Sequence, residues 1–403
     1  MDIFFQDITD VSNEGRQHGQ KRKIVSILNK SDRALTIPEL CSKVRLSVPT
    51  GTRLINDLIE KKIIIEVGKK ETENGRRPLV YEVDKNYAFA VGVTILLKGL
   101  SVSLYNLAME ELYSFESEDF VLENNLHCLE AVSSHIQHSI QQSGFEPGKI
   151  LGMGIGITGR ISSRSGISYN YFNFLEGSLV EYFEKSFQFP VYIDNDTHMI
   201  GLAEQVFGKA RNVKNAFVVN LSQGLGMALI TNGEIVNGED GFAGEFGHMQ
   251  ILDSNKLCLC GKRGCLGNEV SGHALELNYK EKIEAGEASL LALNGNRKSI
   301  SYKKILKAAR EGDGLSISLT HHIGFKLGNA LGNIINLLNP GIIIIAGSFS
   351  SATDILFDSI KSGMKHTALS LLLESCELTF STIGTDAAIK GAGALVLRKK
   401  NLI

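Results

Sequence analysis

Residues 244–272 read GEFGHMQILDSNKLCLCGKRGCLGNEVSG, and this stretch decides how the rest of the chain is understood. It places His248, Cys258, Cys260 and Cys265 within eighteen positions, in the pattern H-x9-C-x-C-x4-C. Gly261 and Gly264 let the chain close tightly around a centre. Three soft thiolates and one imidazole make a complete tetrahedral set for Zn2+, with no position left for water. The expectation is a structural zinc site that holds a loop and performs no chemistry itself. The plainer reading is three reduced cysteines in a turn, with His248 a satisfied polar group. It suits a lone Cys or His better than four ligands this dense.

Working outward, 403 residues are enough for two or three domains. A hydrophobic share of 43% with 21% charged residues describes an ordinary globular protein. No apolar run reaches the roughly 18 residues that a membrane span needs. The longest runs, 88–97 and 342–347, read as buried strands. The start, MDIFFQDITD, lacks the basic n-region and apolar core of a signal peptide. Cys41, Cys128 and Cys376 are scattered and suggest no disulfide framework. These features predict a cytoplasmic protein without membrane insertion.

Charge is uneven. Residues 16–85 hold 16 Lys+Arg against 9 Asp+Glu, whereas the chain as a whole carries a net charge of −2. A basic module joined to an acidic body points to a head that binds a polyanion. In that module Ile24, Ile27 and Leu28 recur at helical spacing. Thr36 reads as an N-cap with Pro38 just inside and Glu39 completing a capping box. Ile37, Leu40, Cys41 and Val44 form the apolar face. After the turn 45–47, Ser47 caps a third helix with a stripe of Leu54, Ile55, Leu58 and Ile59. Two short helices joined by a tight turn form a helix-turn-helix. The outer face of the second shows Pro49, Thr50, Thr52, Arg53 and Asn56, groups suited to base edges and phosphates in a major groove. Two strands, 63–67 and 79–83, flank the polar loop GKKETENGRRP as the wing of a winged helix, with Arg76 and Arg77 placed to enter a minor groove. A trihelical packing module or a protein-binding wing is the alternative. The charge surplus and the Gly-Arg-Arg-Pro tip favour double-stranded DNA.

From residue 86 onward strands and helices alternate, with glycines at strand ends. Strands are expected at 89–95, 99–105, 110–113, 150–157, 191–193, 216–221 and 342–346. Helices are expected at 126–143, from 196 to 207, and at 324–340. Strands that hand polar or glycine-rich turns to helices place binding groups at their carboxyl ends. GEFGH followed by CLCGKRGC, preceded by Asp194-Asn195-Asp196 and the turn SQGLG, resembles the ROK family (repressors, open reading frames and kinases). The likeness covers essentially all of residues 86–403. With a winged helix in front, the chain is similar to the repressor branch that includes the xylose and N-acetylglucosamine repressors. The resemblance implies an α/β body of two actin-like, hexokinase-like ATPase-fold lobes. One would span approximately 86–200 with a C-terminal segment and the other 201–375, behind a head of residues 1–85.

It also implies sugar contacts at Asn173, Asn195, Asp196, Glu245 and His248. A further family glutamate is absent, because Cys265-Leu266 is followed by Gly267. Glu269 lies two residues on, and the sequence leaves open whether it reaches back. In a kinase, Asp196 would be the general base that takes the proton of the attacking hydroxyl. The same carboxylate serves a simple receptor by hydrogen bonding, or a helix start as a cap. The family's phosphate turn, Asp-x-Gly-Gly-Thr, corresponds here to Thr94-Ile95-Leu96-Leu97-Lys98. Leucines there block the backbone approach that phosphates need. The expectation is therefore a non-catalytic regulator of carbohydrate genes. It would be a homodimer or tetramer on an operator, controlled by a sugar or sugar phosphate. Some family repressors answer to a sugar-transporter component, so a protein partner belongs among the expectations. The alternative is an active sugar kinase with a regulatory N-terminal domain.

Overall fold

The computed structural model describes residues 13–70, 77–251, 253–294 and 300–403. Helix α1 (Asn13–Asn29) leads to α2 (Ile37–Val44) and α3 (Val48–Glu60). The Thr36 hydroxyl accepts from the Glu39 N–H while the Glu39 carboxylate accepts from the Thr36 N–H at 2.8 Å, the reciprocal bonds of a capping box. Ser47 caps α3 by accepting from the Thr50 N–H. Gly51 sits inside α3 where a Cβ would lie 2.2 Å from the Cys41 sulfur, so a glycine lets α2 and α3 cross closely. Strands β1 (Ile64–Lys69) and β2 (Leu79–Val83) pair antiparallel as the wing.

The head is not an isolated bead. Ile24, Val25, Leu28, Leu54 and Leu58 share one buried cluster with Ala88, Ala90, Leu151, Val396, Leu397 and Leu402. The Asn29 side chain donates to the Leu402 carbonyl at 3.1 Å. Sequence periodicity could not show this, because the partners lie at opposite ends of the chain.

The body continues with β3 (Phe89–Ile95), β4 (Lys98–Asn106), β5 (Glu111–Val121), α4 (Leu126–Ser143) and β6 (Ile150–Ile157). A small hairpin, β7 (Ile161–Ser162) with β8 (Ile167–Ser168), precedes α5 (Leu179–Phe187), β9 (Val191–Asn195) and α6 (Asp196–Phe207). Their sheet runs β5-β4-β3-β6-β9, antiparallel across β5-β4-β3 and parallel across β3-β6-β9. Strand β5 is longer than the four residues expected. Its Ser/Glu-rich second half looks like a loop, yet Tyr113, Phe115 and Phe120 turn to the core.

The second sheet is built from β10 (Ala216–Leu221), β11 (Leu225–Thr231), β12 (Glu234–Ile235), β13 (Ile342–Ala346) and β14 (Glu377–Phe380), in the order β12-β11-β10-β13-β14. It repeats the pattern of the first: an antiparallel meander of three strands, then two parallel strands. Helices α7 (Gly272–Glu284), α8 (Leu290–Asn294), α9 (Tyr302–Arg310), α10 (Gly314–Leu338), α11 (Thr353–Thr367) and α12 (Ser370–Glu374) accompany it, and α13 (Ala387–Lys399) closes the fold. The glycine spacing of α10 has a packing reason. A Cβ at Gly328 would lie 2.1 Å from the Ile360 carbonyl of α11, and one at Gly332 would lie 2.0 Å from the Thr367 hydroxyl. Backbone contacts divide the chain into two units, Met1–Asp196 with Ile389–Ile403, and Thr197–Ala388. No described helix is long and apolar enough to cross a membrane.

Candidate functional site

In the Thr197–Ala388 unit, the GEFGH segment is pressed against β11. A Cβ at Gly244 would meet the Met227 carbonyl at 1.9 Å, and one at Gly247 the Leu225 carbonyl at 2.4 Å. Phe246, 2% exposed, anchors the turn in the core and leaves Glu245 and His248 at the surface. Downstream, Gly261 and Gly264 take positive φ of 86° and 79°, and the Cys258 N–H donates to the Lys262 carbonyl at 2.7 Å. These turns gather the ligand atoms of His248, Cys258, Cys260 and Cys265 within 4.8 Å of one another.

Cys258 Sγ lies 3.8 Å from His248 Nδ1, and Cys260 Sγ lies 3.6 Å from Cys265 Sγ. A tetrahedron with Zn–S near 2.3 Å and Zn–N near 2.0 Å has S–S edges of about 3.8 Å and S–N edges of about 3.5 Å, within about 0.3 Å of these two separations, so they fit a metal of that size. The thiols argue the same way. Burial pushes the Cys265 thiol well above its ordinary range, and its cysteine neighbours push it further. The Lys262 backbone hydrogen bond pulls Cys260 down to about 7. A cation would relieve the crowding of three thiolates. The other ring nitrogen of His248, Nε2, lies 3.7 Å from the Glu245 carboxylate.

Glu269 has another task. Its side chain is 8% exposed, with one oxygen 2.5 Å from Lys326 Nζ on α10 and the other 2.8 Å from the Ser254 hydroxyl and 3.3 Å from Lys256 Nζ. Burial disfavours the charge, but these partners outweigh it and hold the carboxyl below its usual range. Both oxygens belong to an internal network that ties this loop to Lys326 of α10. Gly267 itself packs on the Gly247 carbonyl, 3.3 Å from where a Cβ would stand.

In the Met1–Asp196 unit, Asn195 ends β9 and Asp196 begins α6. The Asn195 amide donates to the Gly159 carbonyl at 2.7 Å. Gly159 has φ of 105° and packs on Asn170, whose Cβ lies 3.0 Å from where one at Gly159 would be. The Asn170 side-chain oxygen accepts from the Arg160 N–H at 2.8 Å and from Arg160 Nε at 3.3 Å. Asn173 is exposed, accepts from Asn124 Nδ2 at 2.8 Å and donates to the Tyr169 carbonyl at 3.3 Å. The structure thus joins Asn195 to the Gly159-Arg160-Asn170 turn, with Asn173 on the same loop. Glu245 and His248 belong to the other unit. Sequence reasoning missed Arg160 and Asn170; the glycine at the end of β6 was the available signal.

At the β3–β4 hairpin the Leu96 N–H donates to Gly99, and Leu97 is 43% exposed. On α3, Pro49, Arg53 and Asn56 are exposed and Thr50 and Thr52 half-buried. The Thr52 hydroxyl donates to the Val48 carbonyl at 2.8 Å, leaving Arg53 and Asn56 as the outward polar groups with no protein partner among the described residues. Arg77 is exposed, and Arg76 lies outside the described residues.

Residues 115–399 match the sequence model of the ROK family. The xylose repressor of Bacillus spizizenii is 28% identical over 388 residues, covering 94% of each chain. A glucokinase of Halalkalibacterium halodurans is 32% identical over 256 residues, covering 62% of this chain and 78% of its own. Among solved structures, a ROK family transcriptional regulator described as a homologue of the E. coli MLC protein superposes with a TM-score of 0.81 at 25% identity, over 97% of each chain.

Proposed function

This chain belongs to the ROK family, and from that membership we propose that it is a sugar-responsive transcriptional repressor of carbohydrate genes. The observation that carries the reading is the likeness to a repressor over 94% of the chain, where the glucokinase of Halalkalibacterium halodurans matches 62% of it. In this reading residues 1–85 are the DNA-binding head and residues 86–403 the sugar-binding body. The outward face of α3, with Pro49, Thr50, Thr52, Arg53 and Asn56, enters a major groove, and Arg76 and Arg77 of the wing contact the flanking minor groove. A cytoplasmic homodimer or tetramer would match a palindromic operator.

The body binds the effector, and Asn173, Asn195, Asp196, Glu245 and His248 are the residues this reading assigns to it. Asp196 accepts a sugar hydroxyl as a hydrogen-bond partner, and no phosphoryl transfer follows. Support comes from Leu96 and Leu97 in the β3–β4 turn, at the positions where the resemblance calls for glycines whose amides would hold phosphate. Zn2+ is the ion that His248, Cys258, Cys260 and Cys265 would hold; four protein ligands close its shell, so it shapes the loop and leaves no place for a reacting water. His248 would then couple the metal loop to the effector through Glu245. The effector shifts DNA affinity only by binding the two conformations unequally.

The head assignment is tested by gel-shift titration of Arg53→Ala and Asn56→Ala on a selected operator. Each is expected to weaken specific binding by about 1–3 kcal/mol and to leave binding to random DNA far less affected. Unchanged operator affinity in both variants would remove α3 as the reading helix.

A further inference from the structure

We propose that Arg160 makes the effector site selective for an anionic sugar, a sugar phosphate or a sugar acid, over its neutral counterpart. The inference rests on the reading of Asn195 as a sugar contact, and it names the ligand class of that same site.

The geometry is built from the end of β6. Gly159 turns the chain with positive φ, and the β7–β8 hairpin brings Asn170 back over it, the Tyr169 N–H donating to the Arg160 carbonyl at 3.0 Å. Asn170 then accepts from both the main chain and the Nε of Arg160 with one oxygen. A guanidinium held at Nε keeps its two terminal nitrogens as a free fork. Among the described residues Arg160 forms no ion pair, its side chain bonds to Asn170, and it is exposed. The neighbouring Gly159 carbonyl is the acceptor that fixes the Asn195 amide. An unneutralised, oriented fork therefore stands one residue from the group that positions a sugar contact.

Neutral hydroxyls do not require such a group, since amides and carboxylates satisfy them. A planar fork with free N–H donors matches the paired oxygens of a phosphate or carboxylate. Charge-assisted hydrogen bonds of this kind are worth roughly tenfold to a hundredfold in affinity.

The test is calorimetric titration of the full-length protein with matched pairs: glucose and glucose 6-phosphate, N-acetylglucosamine and its 6-phosphate, glucose and glucuronate, with inorganic phosphate as a separate probe. Wild type is expected to bind the anionic member of a pair at least about tenfold more tightly. Arg160→Gln should bring that member to the neutral level without changing the neutral sugar, and Arg160→Lys should retain part of the preference. The phosphate and carboxylate pairs separate the two sources of charge. Equal affinity for neutral and anionic partners in wild type would overturn the proposal, as would an equal loss of both in Arg160→Gln or phosphate alone binding as well as its sugar ester. If no sugar of either kind binds, the sugar-receptor reading itself fails and the proposal falls with it.

Discussion

Replacing Lys326 by methionine removes the nearest cation from a carboxylate that is 8% exposed. Stripping one partner from a fully buried ion pair costs about 3–5 kcal/mol. Here the loss is smaller, because Ser254 still donates to Glu269 and Lys256 stays 3.3 Å away. Lys326 is itself 25% exposed, so part of its charge is already solvated. A destabilisation of about 2 kcal/mol follows for Lys326→Met. For a unit of this size that is roughly 4–8 °C in melting temperature. Glu269→Gln keeps an acceptor for Ser254 and leaves a partly solvated lysine, which predicts about 1 kcal/mol. The double variant should be milder than the sum of the singles by about 1 kcal/mol, measured by calorimetric melting of all four proteins. A Lys326→Met stability within about 0.5 kcal/mol of wild type, or strict additivity, would refute the claim that Glu269 is an internal strut.

Gly51→Ala should destabilise the head by about 1–3 kcal/mol through its clash with the Cys41 sulfur, and adding Cys41→Ala should restore most of the loss, read by thermal melting. Cys265→Ser should abolish retention of zinc through gel filtration, measured by elemental analysis, and lower the melting temperature; unchanged zinc content would exclude this cluster as the site. Lys70 first, then the Thr36 N–H and Arg33, hold the Glu39 carboxyl far below its usual range. A depressed folded pKa stabilises above the unfolded value of about 4.3 and loses that stabilisation as pH falls through the folded value. The melting-point gap between wild type and Glu39→Gln should therefore be full at neutral pH and narrow as pH falls below about 4. Coupled ATP turnover with a panel of hexoses should stay at background, and a robust rate abolished by Asp196→Asn would contradict the receptor reading.

Local signals made the head legible: Thr36-x-x-Glu39 and Ser47 fix two helix starts by hydrogen bonds within one turn, and the alternation around them fixes the buried face. The cysteine spacing likewise predicted which four ligand atoms gather, because glycines at tight turns leave few other paths. What was hidden depends on contacts that no periodicity encodes. Leu402 packs with Ile24 across almost the whole chain, and Glu269 finds Lys326 on a helix 57 residues away. Nothing in the sequence singles out Arg160, because Asn170 comes back over Gly159 only through the hairpin. The acidic second half of β5 concealed its strand character because its charges face solvent while Phe115 and Phe120 pack inward.

The most direct test of the central claim is selection of genomic DNA fragments by the purified full-length protein, followed by challenge of the bound complex with neutral and anionic sugars. The account predicts a small set of palindromic fragments beside carbohydrate genes, released by one sugar class at concentrations that leave non-specific binding intact. Failure to enrich any fragment over random DNA would contradict it.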